Sequence, residues 1–156
     1  MRPLLLAFLL ALAAAPALAD RPFPPVANET YKSECGACHM AFQPQMLPRR
    51  SWARLMAGLA DHFGEDASLE PTVRGEIARY LDANAGDVSG SRAGRKFLRG
   101  LPPDAAPLRI TELPRWRREH RPHEVPPSAW RRPEVGSKAN CAACHGYAAR
   151  GYYDDD

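Results

Sequence analysis

Two short stretches decide what this chain can be: Cys35-Gly36-Ala37-Cys38-His39 and Cys141-Ala142-Ala143-Cys144-His145. Together they contain all four cysteines of the 156-residue chain. Two thiols at this spacing can add as thioethers across the two vinyl groups of a haem, and the histidine that follows can bind the iron as its proximal ligand. The sequence therefore predicts two covalently attached haem c groups, bound by Cys35, Cys38, His39, Cys141, Cys144 and His145.

Other uses of four cysteines fit less well. A disulfide within either Cys-x-x-Cys pair would close only a very short loop and so add little stability. It would also give His39 and His145 no role. A zinc ribbon has about 15 to 20 residues between its two cysteine pairs, whereas here Cys38 and Cys141 are far apart in the sequence. A thioredoxin-like site would need a strand before its cysteines, and no such strand is predicted.

The remaining histidines are candidates for the second axial ligand of each iron. His62 aligns with Leu55 and Leu59, and His120 aligns with Leu113 and Trp116, so each lies on an apolar helix face beside a predicted haem. Both are therefore predicted to bind iron, together with His39 and His145. His123 follows Pro122 without an apolar register, and it is the reserve ligand.

Methionine sulfur is the alternative axial group in cytochromes c. Met40 directly follows His39 and cannot reach across the porphyrin, and Met56 is more simply core filler. Met46, between Pro44 and Pro48, is a second reserve ligand. Because no methionine follows position 56, two histidines on each iron are the more economical assignment. Which distal histidine serves which haem stays open at this point.

Helical spacing dominates the first half of the chain, and no segment alternates with period two. Asn28 or Thr30 can cap a helix that runs into the first motif and carries Tyr31, Cys35 and Cys38 on one face. After Pro48, a helix is predicted to end near Gly64, with Trp52, Leu55, Met56, Leu59 and His62 in one stripe. A third helix is predicted over about 68–81.

The fold class predicted is mainly α and cytochrome c-like: two small helical haem-binding halves joined by a linker rich in glycine and proline. The N-terminal half covers residues 20–85, the linker 86–108 and the C-terminal half 109–156. In the C-terminal half, one helix should begin at Thr111, with Pro114 in its first turn, and end at Pro122. The last helix should open at Ser137, carry Cys141, Cys144 and Ala148, and stop at Gly151.

The N terminus has the pattern of a secretory signal. Arg2 precedes an apolar stretch, and Ala17-Leu18-Ala19 forms a cleavage site, so residues 1–19 are predicted to be removed before Asp20. The apolar stretch is too short for a comfortable bilayer span, and we expect an exported protein, periplasmic and not membrane-spanning. Cleavage lowers the formal charge from +3 to +2, which is too small to suggest binding to DNA or other nucleic acid.

Several longer segments resemble the dihaem cytochrome c family of proteobacteria. These are 35–44, 46–52, 59–64, 116–120 and 140–145, and the resemblance extends over most of residues 29–151. It implies two bis-histidine haems with His62 and His120 in the distal positions. It also implies a periplasmic electron carrier, which in some members of the family has a small oxygen-binding haem protein or a membrane cytochrome b as its partner. The ending Gly151-Tyr152-Tyr153-Asp154-Asp155-Asp156 is shorter than the resemblance leads us to expect.

The function expected from the sequence is single-electron transfer from a membrane cytochrome b or quinol-linked donor to a haem-protein or membrane acceptor. It is not enzymatic, and acidic residues at an exposed haem edge would steer the partner. The alternative is a small haem enzyme, such as a peroxidase or reductase, or a gas-binding haem protein, with one open iron position. An open position would show as a high-spin haem that binds carbon monoxide.

Overall fold

The computed structural model describes residues 22–153. The predicted signal segment and the three terminal aspartates lie outside this range. Five α-helices form within it, and no strand does. They are α1 (Glu29–Cys35), α2 (Arg49–Ala57), α3 (Pro71–Asn84), α4 (Arg92–Phe97) and α5 (Pro114–Glu119). The mainly helical fold predicted from the sequence is confirmed.

Short 3-10 turns complete the architecture. They are Pro44–Met46, Leu59–Asp61, Ile110–Glu112, Ala129–Arg131, Cys141–Ala143 and Ala148–Arg150. The longest helix in the described range, α3, has 14 residues, and no helix there is long and apolar enough to cross a bilayer.

The first two helices begin in different ways, one with a local cap and one with a distant one. The side chain of Asn28 accepts a hydrogen bond from the Tyr31 amide at 2.6 Å, so Asn28, one of the two predicted caps, starts α1. The start of α2 has no cap of its own, and the Asp87 carboxylate accepts from the Arg49 amide at 2.8 Å instead. A loop distant in sequence therefore provides the N-cap interaction for α2.

Several predicted helices are shorter than expected or begin and end at other residues. α2 ends at Ala57, and Leu59–Asp61 forms a separate 3-10 turn, so His62 does not lie on this helix. α1 ends at Cys35, which leaves Cys38 in the following turn. α3 runs over 71–84 rather than 68–81, and α5 begins at Pro114 rather than Thr111 because Ile110–Glu112 is a 3-10 turn.

The prediction of a continuous last helix from Ser137 was wrong. Cys141–Ala143 and Ala148–Arg150 are two separate 3-10 turns. Gly151 does end the second of them, with φ of 89°. A Cβ atom there would lie 2.1 Å from the carbonyl oxygen of Phe23, so both the backbone angle and the contact require glycine.

The stretch predicted to be an irregular linker also contains regular structure. α4 lies inside residues 86–108, capped by the Ser91 hydroxyl, which accepts from the Gly94 amide at 3.2 Å. Gly86 and Gly94 allow the close approach of this segment to the backbone of Gln45, because a Cβ at either position would meet the Gln45 carbonyl oxygen. Gly86 and Gly94, two of the glycines that suggested a linker, therefore serve close packing.

One hydrophobic core runs through the described chain. It is centred on Ile77 and Leu81 of α3 and reaches Leu113 at the start of α5, all at most 1% exposed. Arg50 of α2 extends the connection, since its guanidinium donates to the carbonyl oxygens of Pro102 and Ala105. The N-terminal and C-terminal parts thus pack on each other.

Candidate haem-binding sites

The first motif is held in position by α1, which leads into it, and by the loop that follows it. Cys35 is the last residue of α1, and its thiol is half-buried, whereas Cys38 and His39 are exposed. The Tyr31 hydroxyl donates to the Phe42 carbonyl at 2.8 Å, which fixes the chain just after the motif. The Phe42 ring then stacks on the His39 ring at 5.0 Å between ring centres.

His62 faces His39 across a gap. Their ring centres are 6.2 Å apart, with an angle of 24° between the ring planes. A metal ion bonded by an imidazole nitrogen at about 2 Å on each side would separate two ring centres by roughly 6 Å. The pair therefore has the spacing that two axial ligands of one iron require.

A tight turn presents His62. Its amide donates to the Glu65 carbonyl at 2.7 Å, and the Asp61 carboxylate accepts from the Gly64 amide at 3.1 Å. Burial lowers the pKa of His62 below its ordinary value, and the nearby His39 and Arg109 lower it further. A lowered pKa keeps the imidazole neutral, which is the form that binds a metal.

The second site has the same ligand spacing. The ring centres of His120 and His145 are also 6.2 Å apart, but their planes are at 78°. His120 follows α5 directly, and its amide donates to the Trp116 carbonyl at 3.1 Å. Its ring stacks on the Trp116 indole at 4.2 Å and 10°. The structure therefore pairs each motif histidine with the distal candidate of its own half.

In His39 and His120, a hydrogen bond at Nδ1 leaves Nε2 available to bind iron. Nδ1 of His39 lies 2.8 Å from the Met40 carbonyl, and Nδ1 of His120 lies 2.8 Å from the Trp116 carbonyl. A carbonyl can only accept, so Nδ1 carries the proton in both rings, and Nε2 keeps its lone pair for iron. Such outer hydrogen bonds also fix the orientation of the ring.

A large cavity surrounds the second pair. It has a volume of about 930 Å³, and its walls include His120, His145, Cys141, Cys144 and the indoles of Trp116 and Trp130. This volume lies in the range of cofactor sites. A smaller cavity of about 410 Å³ adjoins His62 and is lined by Leu55, Phe63 and Arg109 among others. The second cavity therefore brings together the cysteines and both histidines that a haem needs, whereas the smaller one adjoins only the distal side of the first site.

Cys35 and Cys141, the two half-buried cysteines, have low reactivity as free thiols. Burial raises the pKa of Cys35 to about 11, with a further contribution from the charge of Glu34. Burial likewise raises the pKa of Cys141 to about 11. Thiols with pKa values this high are protonated at neutral pH and behave as small apolar groups.

The reserve ligands lie elsewhere. Met46, considered as an alternative to His62 at the first haem, is 2% exposed and lines the cavity of the second motif. His123 is well exposed and its Nε2 lies 3.3 Å from the Glu124 carboxylate, as expected for a solvated surface residue. Neither position favours these residues over His62 and His120.

Several residues at the sites were not singled out from the sequence. Trp130 contacts both Trp116 and His120 at 5.9 Å between ring centres, and Tyr153 contacts His145 at 5.6 Å. Gln43 lies between the two motifs with no exposed surface. Of these residues, only Trp130 could have been predicted from the sequence to lie at a site, because so large an apolar ring in a proline-rich segment needs a burial partner.

The sequence matches the family model described as dihaem cytochrome c over residues 31–153. No curated protein matches it. Among solved structures, a diheme cytochrome c from Rhodobacter sphaeroides is 51% identical, with a TM-score of 0.75; the match covers 82% of this chain and 98% of that one. A diheme cytochrome type c from Shewanella baltica is 34% identical, with a TM-score of 0.65, over 81% of this chain and 87% of that one.

Proposed function

The chain belongs to the dihaem cytochrome c family and carries two c-type haems, and on this premise we propose that it is an electron carrier with both irons closed by two histidines. When bound, the haems supply single-electron redox chemistry at the iron. The protein's part is to hold each haem by two thioethers, to provide the axial imidazoles and to shield the site from water.

One observation supports a carrier over an enzyme. Each motif histidine faces a second histidine at 6.2 Å, which matches two occupied axial positions. A substrate, peroxide or diatomic gas would need a position that these side chains fill. Electron transfer needs no open position, because the electron enters and leaves through the porphyrin and its surroundings.

We further propose that the protein works in the periplasm, between a membrane cytochrome b or quinol-linked donor and a haem-protein or membrane acceptor. The location rests on the signal pattern of residues 1–19. The partner classes rest on the family. Contacts of this kind are small, below about 1,200 Å² in total, so that the partners can exchange quickly.

Carbon monoxide tests the carrier function. The reduced holoprotein should keep its optical spectrum when mixed with carbon monoxide, and each haem should take up and release one electron reversibly in a potentiometric titration. A carbon monoxide adduct or a high-spin signal in the unmodified protein would show an open iron and favour a haem enzyme or gas-binding protein.

Histidine variants test the ligand assignment. His62→Ala and His120→Ala should each convert one haem to a high-spin, carbon monoxide-binding form, because the lost imidazole leaves a position that nothing nearby fills. His123→Ala is the matched control and should leave both haems low-spin. If His62→Ala left both haems closed, the proposed ligand of the first haem would be wrong.

A further inference from the structure

The two sites differ in the relative rotation of their histidine rings. Both pairs have ring centres 6.2 Å apart, yet the planes of His39 and His62 differ by 24°, and those of His120 and His145 by 78°. Rotation of an imidazole about the iron–nitrogen bond changes neither the distance nor the ligand set. Something else in the chain must therefore set this angle.

His120 is held on its own side of the second site. Its ring lies parallel to Trp116 at 4.2 Å, and its Nδ1 is 2.8 Å from the Trp116 carbonyl. A ring that is stacked and hydrogen-bonded in this way has little freedom to turn. The rotation of His145 then determines the angle between the two planes.

Tyr153 lies against the His145 ring. The ring centres are 5.6 Å apart at 61°, and the tyrosine ring also packs on Phe23 at 5.8 Å and 90°. The Tyr153 side chain is half-buried, and burial raises its pKa far above the ordinary value, so its hydroxyl stays a hydrogen-bond donor at every working pH.

Gln43 holds the tyrosine in place. Its Oε1 accepts from the Tyr153 hydroxyl at 2.6 Å, and its Nε2 donates to the Ala148 carbonyl at 2.8 Å. Gln43 has no exposed surface, and removing one partner would leave a buried polar group unsatisfied. The amide therefore has one preferred arrangement, and it ties the loop after the first motif to the second haem site.

We propose that Tyr153, tethered by Gln43, is a positioning residue that fixes the rotation of the His145 ring and keeps the two imidazole planes of the second haem nearly perpendicular. This inference rests on the bis-histidine ligation of the proposed function. Crossed ring planes interact with different d orbitals of the iron, whereas nearly parallel planes both act on the same one. The two haems should therefore give different low-spin signals in electron paramagnetic resonance, and the parallel arrangement should favour the ferric state.

Substitution of Tyr153 in the holoprotein tests this role. In Tyr153→Leu, the ferric resonance signal of the second haem should move towards that of the first haem, and its midpoint potential should fall. The signal of the first haem should not change. Tyr153→Phe keeps the ring and loses the tether, so it should cause a smaller shift in the same direction. Tyr152→Leu is the matched control, since Tyr152 is adjacent and 50% exposed.

One double variant tests whether the shift in Tyr153→Phe comes only from a buried Gln43 amide that is left unpaired. The double variant Gln43→Leu with Tyr153→Phe removes both partners of the hydrogen bond between these side chains, and it also removes the donor to the Ala148 carbonyl. It should reproduce the shift of Tyr153→Phe, and its melting temperature shows whether the fold is kept. Unchanged signals in Tyr153→Phe and the double variant, or an equal shift in Tyr152→Leu, would overturn the inference. A high-spin signal in the unmodified protein would instead contradict the proposed function, so the two failures are distinguishable.

Discussion

At the scale of single residues, Arg109 carries a charge close to the distal side of the first site. Its guanidinium lies 3.7 Å from the centre of the Phe63 ring, and this ring lies 4.8 Å from that of His62. Phe63 has φ of 61°, a conformation that costs energy outside glycine, and it is 43% exposed. Contacts with Arg109 and His62, rather than burial, therefore hold it.

Replacing Arg109 should lower the midpoint potential of the first haem. A cation near the iron favours the ferrous state, and a unit charge about 8 Å away at an effective dielectric constant of about 40 is worth roughly 1 kcal/mol, or roughly 40 mV. We expect a fall of this order in Arg109→Gln at low ionic strength, with Arg109→Lys in between. Potentiometric titration measures the fall. Arg74→Gln, an exposed arginine of α3, should leave both potentials unchanged, and equal shifts in the two variants would count against a local effect.

At the scale of elements, Asn28 both starts α1 and connects it to α3. Its Oδ1 accepts from the Tyr31 amide at 2.6 Å, and its Nδ2 donates to the Glu76 carboxylate at 3.0 Å. Loss of a capping side chain costs about 1 kcal/mol. Asn28→Ala should therefore lower the free energy of unfolding by about that amount, as measured in denaturant. Asn28→Ser keeps a capping hydroxyl without placing a second carboxylate beside Glu76, and it should retain more stability. An alanine variant as stable as the parent would show that the cap contributes nothing.

Glu76 makes the same contact sensitive to acid. Hydrogen bonds from the side chains of Asn28 and Thr30 lower the pKa of Glu76. A group whose pKa is lower in the folded state stabilises the fold above its unfolded pKa, about 4.3 for Glu, and that contribution is lost as the pH falls through the folded value. Glu76→Gln should reduce the loss of stability as the pH falls below the unfolded pKa of Glu, and it should leave the alkaline side unchanged. Melting temperatures measured across this acid range test the prediction. If the melting temperature of Glu76→Gln fell with pH as steeply as that of the parent, Glu76 would not contribute to the acid sensitivity.

The sequence predicted the existence of the elements better than their ends. Asn28 as a cap and Gly151 as a stop could be read from residue type, because these signals act within one turn. The early end of α2 and the split of the last predicted helix depend on packing that the sequence does not show. Likewise, the motif residues could be named from spacing alone, whereas the contacts of Tyr153 and Arg109 join positions far apart along the chain.

At the scale of the whole molecule, the two motif-bearing parts share contacts at several points. The Phe23 amide donates to the Gly151 carbonyl at 3.0 Å, and Gln43 bonds both Ala148 and Tyr153. The hydrophobic core is likewise continuous from Phe23 to Trp116. The loss of one haem should therefore lower the stability of the other part of the chain as well.

The chain without haem should have no cooperative tertiary structure. The second cavity alone has a volume of about 930 Å³ and opens to solvent, so without haem water would enter it and contact the indoles of Trp116 and Trp130. Apolar surface left in water loses a stabilisation of about 25 cal/mol per Å². Because folded domains are typically stable by only about 5–15 kcal/mol, we expect the chain without haem to lose its cooperative packing.

Expression without the cytochrome c maturation machinery tests this expectation, with near-ultraviolet circular dichroism and thermal unfolding as the measurements. The apoprotein should lack both a tertiary signal and a sharp transition. A variant with Cys141→Ser and Cys144→Ser should keep the first haem but melt at a lower temperature, followed at the Soret band, because Phe23 and Gln43 lose ordered neighbours. A sharply melting apoprotein would contradict the structural role of the haems. An unchanged melting temperature of the first haem in the serine variant would instead show that the two parts fold independently.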